Sequence, residues 1–282
     1  MSELGPLRVT FDSNAWQRVV RPQSFRKDIR NVDFHRLHRA ARDGEIAGFI
    51  CETVGTLEAI RRADRGESIA SRRMQIDFEE GEMQGGQIRI SVTARPDHSQ
   101  HPGLPGILLD SLRDAFGIGF RLLSAPRLGV PRPIDFITTD GFLRLELYAI
   151  ETGEEQLSQR LDRFADMVRA IEARGVGRAT AVRLADEIRR RVGGEALPWF
   201  RYLNQPKDEA EKKAVEKSIA EWADGDAVAA HLAYQNDVFC SEDAGRSAGK
   251  SILDSHHRGW LASEHGVRFL TLQELAVQIA NR

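Results

Sequence analysis

Four acidic residues far apart in the chain have the types and surroundings needed to gather around a cation. Asp12 ends the short apolar run Leu7 to Phe11, and Glu58 lies beside an apolar helical stripe that follows a second run, Ile46 to Ile50. Asp226 precedes Val228, Ala229, Leu232 and Ala233, and Asp243 closes the segment Ser241-Glu242-Asp243 after Val238-Phe239-Cys240. Carboxylates drawn together repel and raise one another's pKa unless divalent ions neutralise them. Mg2+ or Mn2+ suits all-carboxylate oxygen ligation, and such ions activate water and stabilise a phosphoryl transition state.

The elements that must position these acids read as alternating strands and helices. Leu7 to Phe11 is a strand ending in Asp12-Ser13-Asn14, a helix spans Asn31 to Arg42, and Ile46 to Ile50 is a second strand. A helix then runs from Cys51-Glu52-Thr53 to about Arg65. Strand, helix, strand, helix is the signature of a parallel α/β sheet, whose strands end along one shared edge where ligands bind. Between Glu67 and Glu151 the alternation of Ile88, Ile90 and Val92 suggests an antiparallel strand, Leu104 to Phe116 a short helix, and Ile134 to Tyr148 a hairpin around Thr139-Asp140-Gly141. Helices follow at 154–174, 178–192 and 207–222. Asp226 then opens a helix that leads into the strand Val238 to Cys240, and a helix from Ala248 to Glu264 precedes the strand Val267 to Leu270 and a terminal helix capped by Thr271.

The chain has 282 residues, enough for a real core, with 40 basic against 42 acidic residues and a formal charge of -2. No global basicity marks a nucleic-acid binder. Cys51 and Cys240 end or follow apolar runs and read as buried thiols of a reducing compartment. The amino terminus lacks a signal layout and no apolar run reaches membrane length, so a cytoplasmic protein without membrane association is expected.

Four stretches in order resemble the PIN domain, a family of metal-dependent nucleases: Val9 to Trp16, Phe49 to Ile60, the segment from Asp226 to Gly245, and Val267 to Leu275. The resemblance implies a discontinuous nuclease core at 1–66 and 220–282, an inserted β-containing subdomain at 67–153 and a helical arm at 154–219. It implies phosphodiester hydrolysis, of RNA above all, with Asp12, Glu58, Asp226 and Asp243 as catalytic metal ligands and Mg2+ or Mn2+ as cofactor. Glu52 at the strand end is the other candidate for the family's glutamate, and Glu242 ranks behind Asp243. Asn14 and Ser241 would orient ligands or phosphate. A toxin-like role restrained by a small inhibitory protein, and a homo-oligomer, are further family expectations.

Each residue also has a plain alternative. Asp12 and Asp226 are good helix caps, Glu58 a solvated helix acid, Asp243 a turn residue. His35, His38, His98, His101, His256 and His257 lack metal-site spacing. Gly245 to Ser251, GRSAGKS, resembles a phosphate loop but has three residues between its glycines where the nucleotide loop has four, so nucleotide hydrolysis is the lesser rival and Arg246 and Lys250 are phosphate-contact candidates. The arginine groups 61-62-65, 72-73 and 189-190-191 are either solvated faces or grips for phosphates, and Trp16, Trp199, Phe200 and Tyr202 either core or base-stacking surfaces. A catalytically silent PIN-like fold serving as a binding module is the alternative from another class.

Overall fold

The computed structural model describes residues 5–71, 74–80, 90–96, 105–125, 147–149, 153–193, 197–243 and 249–282. Strands β1 (Leu7–Phe11), β2 (Ile46–Cys51), β5 (Arg121–Leu123), β6 (Val238–Cys240) and β7 (Phe269–Leu270) form one parallel sheet in the order β5-β2-β1-β6-β7. The expected α/β class is what forms. In register, Phe11 sits beside Ile50 and Cys240, Cys51 beside Leu123, and Cys240 beside Leu270. The carboxyl ends therefore share one edge. The order reverses between β1 and β6, and the crevice outside that switch is where open α/β sheets bind ligands.

Alternation along the strands builds two cores. Val9, Phe11, Ile50, Val238 and Cys240 face one side, with residues of α1 (Trp16–Val20), α2 (Asn31–Arg42), α5 (Gly106–Gly117) and α10 (Leu272–Ala280). Phe49, Cys51, Leu123 and Phe239 face the other, with α6 (Glu154–Ala173), α8 (Glu209–Ala233) and α9 (Ser255–His265). Sealing both faces with helices is what a parallel sheet requires. A satellite core joins Leu57, Ile69, Tyr202 and Trp222 to Ala185 and Ile188 of α7 (Arg178–Val192).

Several sequence expectations shift. The helix expected from Thr53 to Arg65 is broken: α3 (Thr53–Thr56) ends early, a bend carries Glu58, and a 3-10 turn (Arg62–Asp64) leads to α4 (Arg65–Ala70). The helices expected to be separate at 207–222 and from Asp226 are one, α8, because Gly225 lies inside it. The boundary drawn at 219/220 falls within that helix. The helical arm lies against the sheet: Phe164, Met167, Val168 and Ile171 of α6 pack with Phe49 and Phe239. Of the inserted segment, β3 (Met74–Glu80) and β4 (Ile90–Pro96) form a separate antiparallel ribbon, whereas α5 and β5 belong to the main sheet and its core. The hairpin around Thr139-Asp140-Gly141 and the arginines 72-73 lie outside the described residues.

Candidate metal centre

Asp12 occupies the end of β1, where its backbone N–H donates to Cys240 O at 2.9 Å and ties the two sides of the switch together. Its carboxylate does not cap a helix; α1 has Ala15 as N-cap with no side-chain bond. Instead Oδ1 accepts from the Ser13 N–H at 2.7 Å, and Oδ2 from Ser241 Oγ at 2.6 Å and Asn14 Nδ2 at 3.0 Å. Asn14 Oδ1 takes the Glu242 N–H at 3.0 Å, so one amide bridges the acid to the loop after β6. Asn14 and Ser241 thus stand as orienting neighbours of Asp12. Burial pushes the Asp12 carboxyl up against the pull of Ser241 and Ser13; the Asp243 charge adds to the rise and Arg258 opposes it.

Glu58 lies half-buried in the bend after α3, accepting from Thr53 Oγ1 at 3.3 Å. Desolvation first, then the Asp12 charge, push it up to about 7. The Arg65 guanidinium, whose charge opposes that rise, donates to the carbonyls of Ile60 and Glu58 at 3.0 Å each. One arginine group therefore flanks the acids.

The late helix contributes an acid that sequence reading missed. Asp224 is held well above the usual carboxylate range by desolvation and then by the charges of Asp12, Glu58, Glu221 and Asp243. Asp226 sits two residues on, about 200° around the helix. It is fully buried, and its charge acts on Cys51 and Arg178. Asp224 thus joins the acids whose charges act on one another, and Asp226 acts at the same carboxyl edge through Cys51, the last residue of β2. Gly225 reads locally as a break, which hid Asp224 as a helix residue; one uninterrupted helix places the two aspartates about 200° apart around its axis.

The remaining candidates are engaged structurally. Glu52 Oε1 accepts from the Ala125 N–H at 2.7 Å and Oε2 from Tyr148 Oη at 2.9 Å, clamping the segments beside β5. Glu242 pairs with Arg30 and accepts the Leu272 N–H at 2.9 Å, at the start of α10. Arg246 lies outside the described residues, and the Lys250 side chain is exposed. The N–H groups of Lys250 and Ser251 donate to Asp254 Oδ2 at 3.0 and 3.2 Å, so these amides of the phosphate-loop reading are spent on a carboxylate. His257 is buried against Ser251 O and Asp254, and Trp16, Tyr202 and the cysteines are core.

No family model, curated protein or solved structure matches the chain.

The donor chemistry at this edge fits a hard divalent cation. The acids are all oxygen donors, and those whose values shift are held above their ordinary range by desolvation and mutual charge, the condition a cation relieves. Asp12 keeps lone-pair capacity on Oδ1, while Ser241 and Asn14 fix its plane. Among the described residues no three acid, histidine or cysteine side chains form a ready-made cage.

Proposed function

We propose that the carboxyl edge of the sheet is the centre of a metal-dependent nuclease acting on RNA. What supports this reading is that Asp12 at the end of β1 and Asp243 after β6 meet through the Ser241 hydroxyl beside the topological switch, and that the charges of Asp12, Glu58 and Asp243 all push Asp224 up. Structural carboxylates are usually paired with bases, and a group of acids raising one another's pKa at a sheet's ligand-binding edge is a functional-site signature.

These four side chains would hold Mg2+ or Mn2+, which supplies charge neutralisation and Lewis-acid polarisation of a phosphodiester. Ser241 and Asn14 hold the Asp12 carboxylate in one orientation, and the Ser13 amide keeps it partly compensated inside the fold. Glu58 carries its proton up to about pH 7 without a cation, so binding one releases a proton. The exposed Arg62 would supply positive charge for a strand's flanking phosphate, beside Arg61, which is paired with Asp64, and the buried Arg65.

Incubating the protein with labelled RNA and Mn2+ tests this reading. Cleavage is expected from the parent and is lost in Asp12→Asn and Asp224→Asn; absent cleavage, or equal cleavage in all three, refutes it. The silent binding module stays as second reading on one observation. The half-buried Arg258 guanidinium acts on both Asp12 and Asp243, giving the acids an internal counter-charge. That reading expects RNA retention without cleavage.

A further inference from the structure

At the opposite, amino end of the sheet lies a cavity of about 660 Å3 whose lining includes Arg8, Arg121, Arg163, Gln156, Gln159 and Gln235 and, among the described residues, no aspartate or glutamate. All three arginines are half-buried. Each is held by uncharged acceptors: Arg8 donates from Nε to Asn236 Oδ1 at 3.1 Å and from Nη2 to Tyr234 O at 3.4 Å. Arg121 donates to Phe120 O at 2.8 Å, and Arg163 to Ala233 O at 3.0 Å. Arg8 also lies over the Phe49 ring, 4.7 Å from its centroid. Among the described residues none of these guanidiniums meets a carboxylate. Of the described acids nearby, Asp237 accepts from the Arg8 backbone N–H at 2.8 Å and Glu155 from the Gln159 amide at 3.1 Å, and neither is bonded to these guanidiniums. Neutral acceptors fix a guanidinium's direction and leave its charge uncancelled, so the three arginines present oriented positive groups to the cavity.

Gln235 adds an independent sign. It stops α8 in the left-handed region with φ 53°, the one non-glycine residue there among the described residues. Glycine is favoured at such a helix end, and a longer residue costs about 1 kcal/mol. The side chain kept at that cost is exposed and lines the cavity.

We propose that this cavity binds a small phosphate-bearing organic molecule of nucleotide size. Arginine forks match phosphate oxygens in pairs. The exposed Gln235 amide offers a donor and an acceptor to the organic part, and the volume falls in the range of small-ligand sites. The site is distinct from the acid edge: Arg8 and Asp12 lie on the same face of β1, about 13 Å apart along the strand.

Titration calorimetry on the full chain with the nucleoside 5′-monophosphates, ribose 5-phosphate and inorganic phosphate decides the matter. The expected result is that an organic phosphate binds more tightly than inorganic phosphate. Arg121→Gln and Arg163→Gln each weaken it about tenfold at an unchanged melting temperature. Gln235→Gly is expected to raise the melting temperature while weakening the ligand. No binding by the parent, binding untouched by all three substitutions, or inorganic phosphate binding as tightly as the organic phosphates would overturn the proposal. So would an oligoribonucleotide that outcompetes the monophosphates at this site.

Discussion

At the scale of single residues, the acid edge separates side chains that hold a carboxylate in place from those that hold the fold together. Ser241 donates to Asp12 Oδ2 at 2.6 Å and its Oγ also receives the Asp243 N–H at 3.1 Å, so one hydroxyl sets both the acid and the loop. Ser241→Ala is expected to lower Mn2+ affinity and RNA cleavage by about 10- to 100-fold with the fold intact, measured by metal titration and cleavage rate. Glu52 is the contrasting case. Its oxygens satisfy the Ala125 N–H and the Tyr148 hydroxyl, groups set in or beside the buried end of β5. Glu52→Ala should cost about 1–3 kcal/mol for each buried donor left unpaired, read by chemical denaturation. It should leave the stabilisation by Mn2+ unchanged. A loss of the Mn2+ effect with no loss of stability would assign Glu52 to the metal instead.

At the scale of elements, α8 determines which acids meet. Its cap is local, Asp208 accepting the Glu211 N–H at 2.8 Å, but its passage through Gly225 depends on a neighbour. A Cβ on Gly225 would stand 3.0 Å from the Cα of Gly177, so the start of α7 and the middle of α8 touch backbone to backbone. Glu221 fastens the same joint, accepting from the Gly177 N–H at 3.0 Å and the Ile252 N–H at 2.8 Å. Gly177 has φ 62°, and a Cβ there would lie 2.8 Å from Ile171 Cγ2. Gly177→Ala is expected to destabilise the protein by about 1–3 kcal/mol in urea unfolding, through overpacking and backbone strain together. A neutral result would mean that α7 and α8 do not approach this closely.

At the scale of the whole molecule, the acid cluster makes stability depend on pH and on cations. Desolvation and the Asp12 charge lift Glu58 from 4.5 to about 7, so the folded protein binds this proton more tightly than the unfolded chain. That contribution is full below about pH 4.5 and is lost as pH rises through about 7. His231, held neutral down to about 3 by burial, acts in the opposite direction below its ordinary value. The comparison therefore runs between pH 6.5 and 8, parent against Glu58→Gln, in chelator. The parent should lose stability with rising pH and the variant lose less; Mn2+ should remove the difference. Parallel curves in chelator would show that Glu58 is not raised.

The sequence by itself determined four of the five strands of the main sheet, β1, β2, β6 and β7, together with the parallel α/β class and the place of Asp12 and of Ser241 to Asp243 at strand ends. Strand ends follow from local apolar runs and turn residues, and parallel pairing brings those ends to one edge. The Thr271 cap was legible too, and it forms with Glu274 as a reciprocal pair. Only the tertiary structure decided that Asp224 joins the acids, that Glu52 and Glu242 serve as clamps, and that three arginines from β1, β5 and α6 share a cavity. The physical reason is the same in each case. A helix's rotation about its axis, and the partner of a buried carboxylate, are set by packing against residues tens of positions away or more, or by helix phase. Neither leaves a mark in the local pattern.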